Sequence, residues 1–304
     1  MERYLHGTAA KTLIHDDDNT DELWSCEAEE PSPEGRRVGD RYVVSEEEIA
    51  RFKEDGYVHL RGVLSVEELA EIDEVYGRFL SGEIEVEGKD LCDMTGEYGG
   101  SIQDFQLINV MLPRRYHPAW QGNLYERRAA SISEQLIGGG LKLDYDQLLA
   151  KPPGEAEAIF AWHQDMAYWI DTPDTRTASL WLALDDSSVE NGCMRFVPGT
   201  QLEPELRPHS PLKGDRGESH TLFTELRSDD EPRHAEIARG DCTVHSERVL
   251  HGSGGNTSQR WRRAYIVAYR AMETVEEERR QGFTHSHNDA HDVLGSVESM
   301  KPKS

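Results

Sequence analysis

Trp162-His163-Gln164-Asp165 sets an imidazole and a carboxylate two residues apart. On an extended strand the side chains at i and i+2 leave the same face, so both can reach one metal ion. A second imidazole, His251, stands far downstream in Leu250-His251-Gly252-Ser253-Gly254. Two His and one carboxylate form the facial ligand set of non-haem Fe(II), which leaves three coordination positions open. A bidentate 2-oxo acid takes two of these and dioxygen takes the third. An isolated HxD pattern arises often by chance, and a lone His on a strand is usually a satisfied core or surface residue. The distal His is what gives the pattern weight, together with the arginines that follow it.

A co-substrate carboxylate in a partly buried site needs a fixed cation, and a planar guanidinium binds it in bidentate fashion. The strand expected after His251 opens on Arg260, Arg262 and Arg263. Alternation assigns Arg262, Ala264, Ile266 and Ala268 to one face, and Arg263, Tyr265, Val267 and Tyr269 to the other. Small residues beside Arg262 suit a face that leaves room for a ligand. Spacing alone leaves both Arg260 and Arg262 open.

The elements that must position these groups fall into two textures. Residues 1–44 are polar, with the acidic run Asp16 to Glu22, and read as a flexible N-terminal arm. Capping boxes at Ser45/Glu48 and Ser65/Glu68 predict two helices, the second carrying Leu69, Ile72, Val75, Tyr76 and Phe79 at helical spacing. Residues 82–100, with five glycines, predict a long loop, and a third helix is expected over about 118–137, stopped by Gly138-Gly139-Gly140. From Leu141 the pattern changes to short strands at 141–149, 158–162, 178–184, 193–197, 241–245 and 262–269, with turns at Asn191-Gly192 and Pro198-Gly199. Residues 201–235 read as an insertion and 273–304 as a polar C-terminal tail. A helical layer over 45–140 packed on a strand-rich core over 141–272 predicts an α+β, mainly β, jelly roll.

Taken in order, the motifs resemble the phytanoyl-CoA dioxygenase family of Fe(II)/2-oxoglutarate-dependent oxygenases. The resemblance runs from about Ser45 to Tyr269. It includes Glu54-Asp55-Gly56-Tyr57-Val58, Ile102-Gln103-Asp104-Phe105-Gln106, Lys151-Pro152-Pro153-Gly154, Trp162-His163-Gln164-Asp165, Val197-Pro198-Gly199-Thr200 and His251-Gly252-Ser253-Gly254-Gly255-Asn256. It implies a double-stranded β-helix core, with His163, Asp165 and His251 as catalytic iron ligands. It also implies Arg262, eleven residues after His251, as the partner of the distal 2-oxoglutarate carboxylate, with Ser253 as its hydroxyl neighbour. Trp181 and Gln147 match positions that wall the co-substrate pocket, and Gln164, between two ligands, is expected to back them and to count with the cofactor-binding residues. The implied chemistry couples decarboxylation of 2-oxoglutarate, with O2, to oxidation of a C–H bond. Asp165 favours hydroxylation over halogenation, because related halogenases have a small residue there. Ser101 stands where the phytanoyl-CoA enzyme itself has a Lys, and that enzyme's peroxisomal address is missing. Both weigh against phytanoyl-CoA as substrate.

Further residues carry weaker expectations. Tyr168, Trp169, Gln103 and Phe105 are candidate substrate contacts, with core packing or a strand role as the alternative. Arg195 reads as a surface ion pair, with substrate binding as the alternative, His245 as a buried hydrogen-bonded His near the site, and Lys151 as either structural or a support behind the residues of the site. The tail residues His285, His287, Asp289, His291 and Asp292 resemble a metal-binding tract by composition, although such tails are usually just solvated.

With 33 basic and 58 acidic residues the formal charge is -25, which opposes nucleic acid and anionic membrane surfaces. No apolar stretch approaches a membrane span and no signal peptide is evident. Four scattered cysteines fit reduced thiols in the cytoplasm. A small-molecule substrate is expected, with the protein a monomer or homodimer. The competing functions are a non-catalytic cupin-like binding module, a nucleic-acid demethylase, and the same iron chemistry ending in desaturation, epimerisation or cyclisation.

Overall fold

Ser45 and Glu48 cap the first long helix reciprocally: the Glu48 N–H donates to Ser45 Oγ and the Ser45 N–H to Glu48 Oε2. In the computed structural model, which describes residues 33–284, this helix is α1, Glu46–Asp55. Gly56, at φ 80°, ends it in the left-handed conformation that an L side chain resists. The chain then enters β1, Tyr57–Leu60. Ser65 and Glu68 repeat the reciprocal bonds on the turn leading into α2, Ala70–Leu80, which buries Ile72, Val75, Tyr76 and Phe79. The third helix, α3, spans Leu124–Ile137. It begins later than expected because Pro118–Trp120 forms a 3-10 turn and Asn123 supplies the cap, accepting the Glu126 N–H at 3.0 Å.

Two antiparallel sheets carry the strands. The larger takes β1, β2 (Leu91–Asp93), β3 (Ile108–Met111), β4 (Leu141–Lys151), β6 (Thr177–Ala183), β9 (Cys242–His245) and β11 (Arg262–Ala271), in the spatial order β1-β9-β6-β11-β4-β3-β2. The smaller takes β5 (Phe160–His163), β7 (Met194–Val197), β8 (Arg233–Ala235) and β10 (Leu250–Ser253), in the order β8-β7-β10-β5. Alternation divides the large sheet into two faces. Leu148, Ala150, Leu180, Leu182, Tyr265 and Val267 pack outward with Phe52, Val75, Phe79, Tyr125 and Ile132 of the helices. Leu149, Trp181, Ala264 and Ile266 pack inward with Met194 and Phe196 of the small sheet. This is the expected jelly roll with its helical layer, and the site lies between the two sheets.

Several boundaries are corrected. Part of the expected arm is folded: Arg37–Val38 pairs with Arg41–Tyr42, and Tyr42 is buried with its hydroxyl on the Arg61 carbonyl. The polar tail begins with a helix, α4, Met272–Arg280, because Glu278 reaches inward to Arg270. The loop over 82–100 contains edge strand β2, which pairs with β3. The segment around His251, which no strand pattern marks, is strand β10. Close approach requires Gly252 within it and Gly255 just beyond it: a Cβ at Gly252 would lie 2.9 Å from the Phe160 carbonyl oxygen, and one at Gly255 would fall on the Ala156 carbonyl. The acidic run and the His-rich tract of the tail lie outside the described residues. No helix among the described residues is long and apolar enough to cross a membrane.

Candidate active site

His163 and His251 are direct cross-strand partners on β5 and β10, so the ladder itself brings the two imidazoles together. Their ring centroids are 4.2 Å apart. Asp165 follows on a 3-10 turn, Asp165–Tyr168. One ligand atom from each of the three residues lies within 4.8 Å of the others, a constellation able to hold a metal ion. Hydrogen bonding sets the tautomers. His163 Nδ1 is 2.7 Å from the Ala161 carbonyl and His251 Nδ1 is 3.0 Å from the Val249 carbonyl. A carbonyl only accepts, so both Nδ1 atoms carry the proton and both Nε2 atoms turn a lone pair toward Asp165, at 3.3 and 3.6 Å from Oδ1.

The electrostatics agree with a ligand set. Burial, reinforced by His163, holds His251 well below the usual imidazole range and therefore neutral. Burial pushes Asp165 up, but His251, His163 and His245 outweigh it and hold the carboxyl well below its usual range. His245 Nε2 and Ser179 Oγ lie 3.3 and 3.5 Å from Asp165 Oδ2. The carboxylate is thus gripped by one oxygen and presents the other.

Arg262 lies inward on β11 as alternation predicts. It is fully buried, its guanidinium carbon stands 5.2 Å from the centroid of the Trp181 ring, and Nε, Nη1 and Nη2 all lack a hydrogen-bond partner. Burial pushes its pKa down to about 10. Ser253, also buried, accepts from Lys151 Nζ at 2.6 Å. Arg260 is instead an exposed residue beside Glu190.

The chamber beside the triad is walled by Trp181, Gln147, Tyr168, Trp169, Tyr145, Met94, Met111, Met194, His220 and His245, among others. Trp181, Gln147, Tyr168 and Trp169, expected as co-substrate or substrate contacts, all line this chamber. Gln147 donates to Asn109 Oδ1 at 2.5 Å. Three expectations are corrected. Gln103 is exposed on a 3-10 turn and bonds to Ser101. Phe105 packs in the outer core with the helices, because the chain bends at residues 102–104 and turns its ring from the chamber. Gln164 faces away from the triad and uses its amide on the insertion, accepting the Arg207 N–H at 2.8 Å and donating to the Arg248 carbonyl at 2.6 Å. Arg195, read as a surface ion pair, lies over Trp162 at 4.7 Å.

Other residues were not singled out from sequence. Tyr145 shares the inward face of β4 with Gln147, so period-two alternation carries a signal for it. The insertion supplies His209, which accepts the Gln164 backbone N–H at 3.0 Å, and His220, stacked on Tyr168. Behind Trp169, Arg270 stacks at 4.2 Å and meets Asp144, Glu247 and Glu278 in a buried ion cluster. No local pattern marks these residues, whose partners come from distant elements.

The phytanoyl-CoA dioxygenase (PhyH) family model matches residues 52–264, and the chain belongs to that family. It is a 2-oxoglutarate-dependent dioxygenase that uses iron. Among curated relatives, it is 27% identical over 243 residues to the 2-aminoethylphosphonate dioxygenase of an uncultured bacterium (HF130_AEPn_1), covering 77% of this chain and 84% of that one. Among solved structures it resembles EvdO2 from Micromonospora carbonacea var. aurantiaca complexed with 2-oxoglutarate, at 25% identity and a TM-score of 0.61, over 75% of this chain and 91% of that one. It also resembles the epimerase SnoN in complex with Fe3+, alpha ketoglutarate and nogalamycin RO, at 27% identity and a TM-score of 0.55, over 74% and 82% of the two chains.

Proposed function

We propose that His163, Asp165 and His251 hold Fe(II) and that Arg262 and Ser253 receive the distal carboxylate of 2-oxoglutarate against Trp181. In this reading the enzyme hydroxylates a C–H bond of an uncharged small molecule lying along Tyr145, Tyr168 and Trp169. The observation that carries it is the Arg262 guanidinium, fully buried with three unpartnered nitrogens. An uncompensated buried charge costs several kcal/mol, so its retention argues for an anion that meets it. A carboxylate beside Arg262 would match both its charge and its fork geometry.

When bound, iron would activate O2, the oxidant, with 2-oxoglutarate giving up two electrons on decarboxylation to succinate and CO2 and the substrate C–H bond giving up the other two; one oxygen atom would enter succinate and the other the product. The chain's own residues orient and exclude. His163 and His251 keep their Nδ1 protons on carbonyls and offer Nε2, while His245 and Ser179 hold Asp165 to a single presented oxygen. The retained Asp165 supports hydroxylation rather than halogenation. Aromatic rings and thioethers keep the chamber dry.

The substrate class follows from the walls. Among the described residues lining the chamber there is no Lys or Arg, which disfavours a phosphonate or an acyl-CoA at the reacting centre. Flat rings and Met side chains suit a planar or polycyclic apolar face. The overall charge of -25 also opposes a polyanion. The buried free thiols of Cys92, Cys193 and Cys242 support a reducing compartment such as the cytoplasm.

The test is succinate release against a substrate panel, with products read by mass. Neutral polycyclic compounds should stimulate release and gain one oxygen atom, and His163→Ala and Asp165→Ala should abolish it. Stimulation by phosphonates or acyl-CoA alone would overturn the substrate class. The likeness to SnoN favours a second reading, epimerisation, which gives a product of unchanged mass.

A further inference from the structure

Next to Arg262 stands a second buried cation. Lys151 is its direct cross-strand partner in the β11–β4 ladder, so both side chains leave the same inward face, and both are 0% exposed. Like charges directly opposite destabilise a sheet, and neither of these has a carboxylate bonded to it. Lys151 Nζ donates instead to Ser253 Oγ at 2.6 Å and to the Gly254 carbonyl. Ser253 lies two residues beyond His251 on β10, the position assigned above to the co-substrate carboxylate.

Resting on that co-substrate reading, we infer that Lys151 is a positioning residue of the 2-oxoglutarate site: it fixes the Ser253 hydroxyl as a donor and, with Arg262, selects 2-oxo acids that carry a second carboxylate. An ammonium has three donors and no acceptor. The Ser253 oxygen is therefore the acceptor of their bond, and its own proton is left for the carboxylate. Burial first, then Arg262 and Arg195, lower the proton affinity of Lys151. A carboxylate between the cations offsets that repulsion and keeps Lys151 an ammonium. The arrangement also accounts for a Lys buried beside an Arg in a core that otherwise pairs its charges.

The test uses Fe(II)-loaded full-length protein under anaerobic conditions. Two acids are titrated through the chelate absorption band: 2-oxoglutarate, and 2-oxopentanoate, which has the same chain length without the distal carboxylate. Lys151→Met and Ser253→Ala should each raise the Kd for 2-oxoglutarate about tenfold, the size of one charge-assisted hydrogen bond. The Kd for 2-oxopentanoate should stay within about twofold, and the double variant should bind 2-oxoglutarate little worse than either single one. Lys151→Gln keeps a donor without the charge and serves should the Met variant not fold. It should show a smaller loss with the same selectivity. Equal weakening of both acids would mean a merely structural role, and unchanged 2-oxoglutarate binding would remove Lys151 from the site. Either overturns the inference. Unchanged discrimination in Arg262→Ala would instead overturn the co-substrate reading itself.

Discussion

An imidazole binds metal through the nitrogen that its other hydrogen bond leaves free, and at His163 and His251 backbone carbonyls make that choice. The carboxylate is oriented in a parallel way: His245 takes Asp165 Oδ2 and leaves Oδ1 toward the two Nε2 atoms. Replacing His245 with Phe keeps a ring of similar size but removes the bond. Fe(II) affinity should fall about 10- to 100-fold, the usual range for losing a partner of a metal ligand, with the fold intact by circular dichroism. Unchanged Fe(II) affinity in His245→Phe would show that Asp165 is oriented by other contacts. The metal triad was legible in sequence because its geometry is local or tied to one type of residue: HxD needs only a strand, and few roles suit a His beside a Gly-rich run. Gln103 and Phe105 were misread because sequence neighbours of a motif can leave on any face once the chain turns, as it does at Ile102–Asp104.

At the level of elements, the insertion and α4 brace the site from two sides. His209 joins the insertion to the metal strand: its Nδ1 is 2.6 Å from the Arg207 carbonyl and its Nε2 accepts the Gln164 N–H. Burial lowers its pKa from 6.5 to about 4, since protonation would put a second donor against an N–H. The sign follows: the unfolded chain takes up the proton first as pH falls. The stabilisation is full above 6.5 and is lost between 6.5 and 4, on the order of 3 kcal/mol in all. Urea unfolding at pH 7 and pH 5 should show His209→Gln losing less stability between these pH values than the wild type does. Equal losses would contradict the assignment. On the other side, Glu278→Ala should cost about 3 kcal/mol by the same measurement, because it strips a partner from fully buried Arg270. A loss within 0.5 kcal/mol, typical of surface substitutions, would show that Asp144 and Glu247 suffice. The strands of both sheets were largely readable from alternation, as were the capped helices α1 and α2. Strands β2, β3, β8 and β10 were not, since β2 sits in a Gly-rich stretch, β8 lies in the polar insertion, and β10 contains Gly252, held to the sheet by ladder pairing rather than by side-chain pattern.

Among the described residues, two sheets pack face to face; buried cations such as Arg128, Arg207 and Arg270 meet carboxylates, whereas Arg262 and Lys151 have none bonded to them. The helical layer covers the outer face of the large sheet, and the two cations stand on its inward face. In the proposed function, net charge and apolar chamber walls would act together on substrate choice, disfavouring polyanions at long range and at contact. In the proposed function the triad holds Fe(II) beside this chamber and Arg262, stacked on the chamber wall Trp181, receives the distal carboxylate of 2-oxoglutarate. The most direct test is an anaerobic titration of the full chain with Fe(II) and 2-oxoglutarate, following the visible charge-transfer band of the chelate. The band is expected in the wild type and should be lost at the same 2-oxoglutarate concentration in Arg262→Ala, with Fe(II) still bound. Folded, Fe(II)-bound wild type without the band, or a band of equal strength in Arg262→Ala, would contradict that reading.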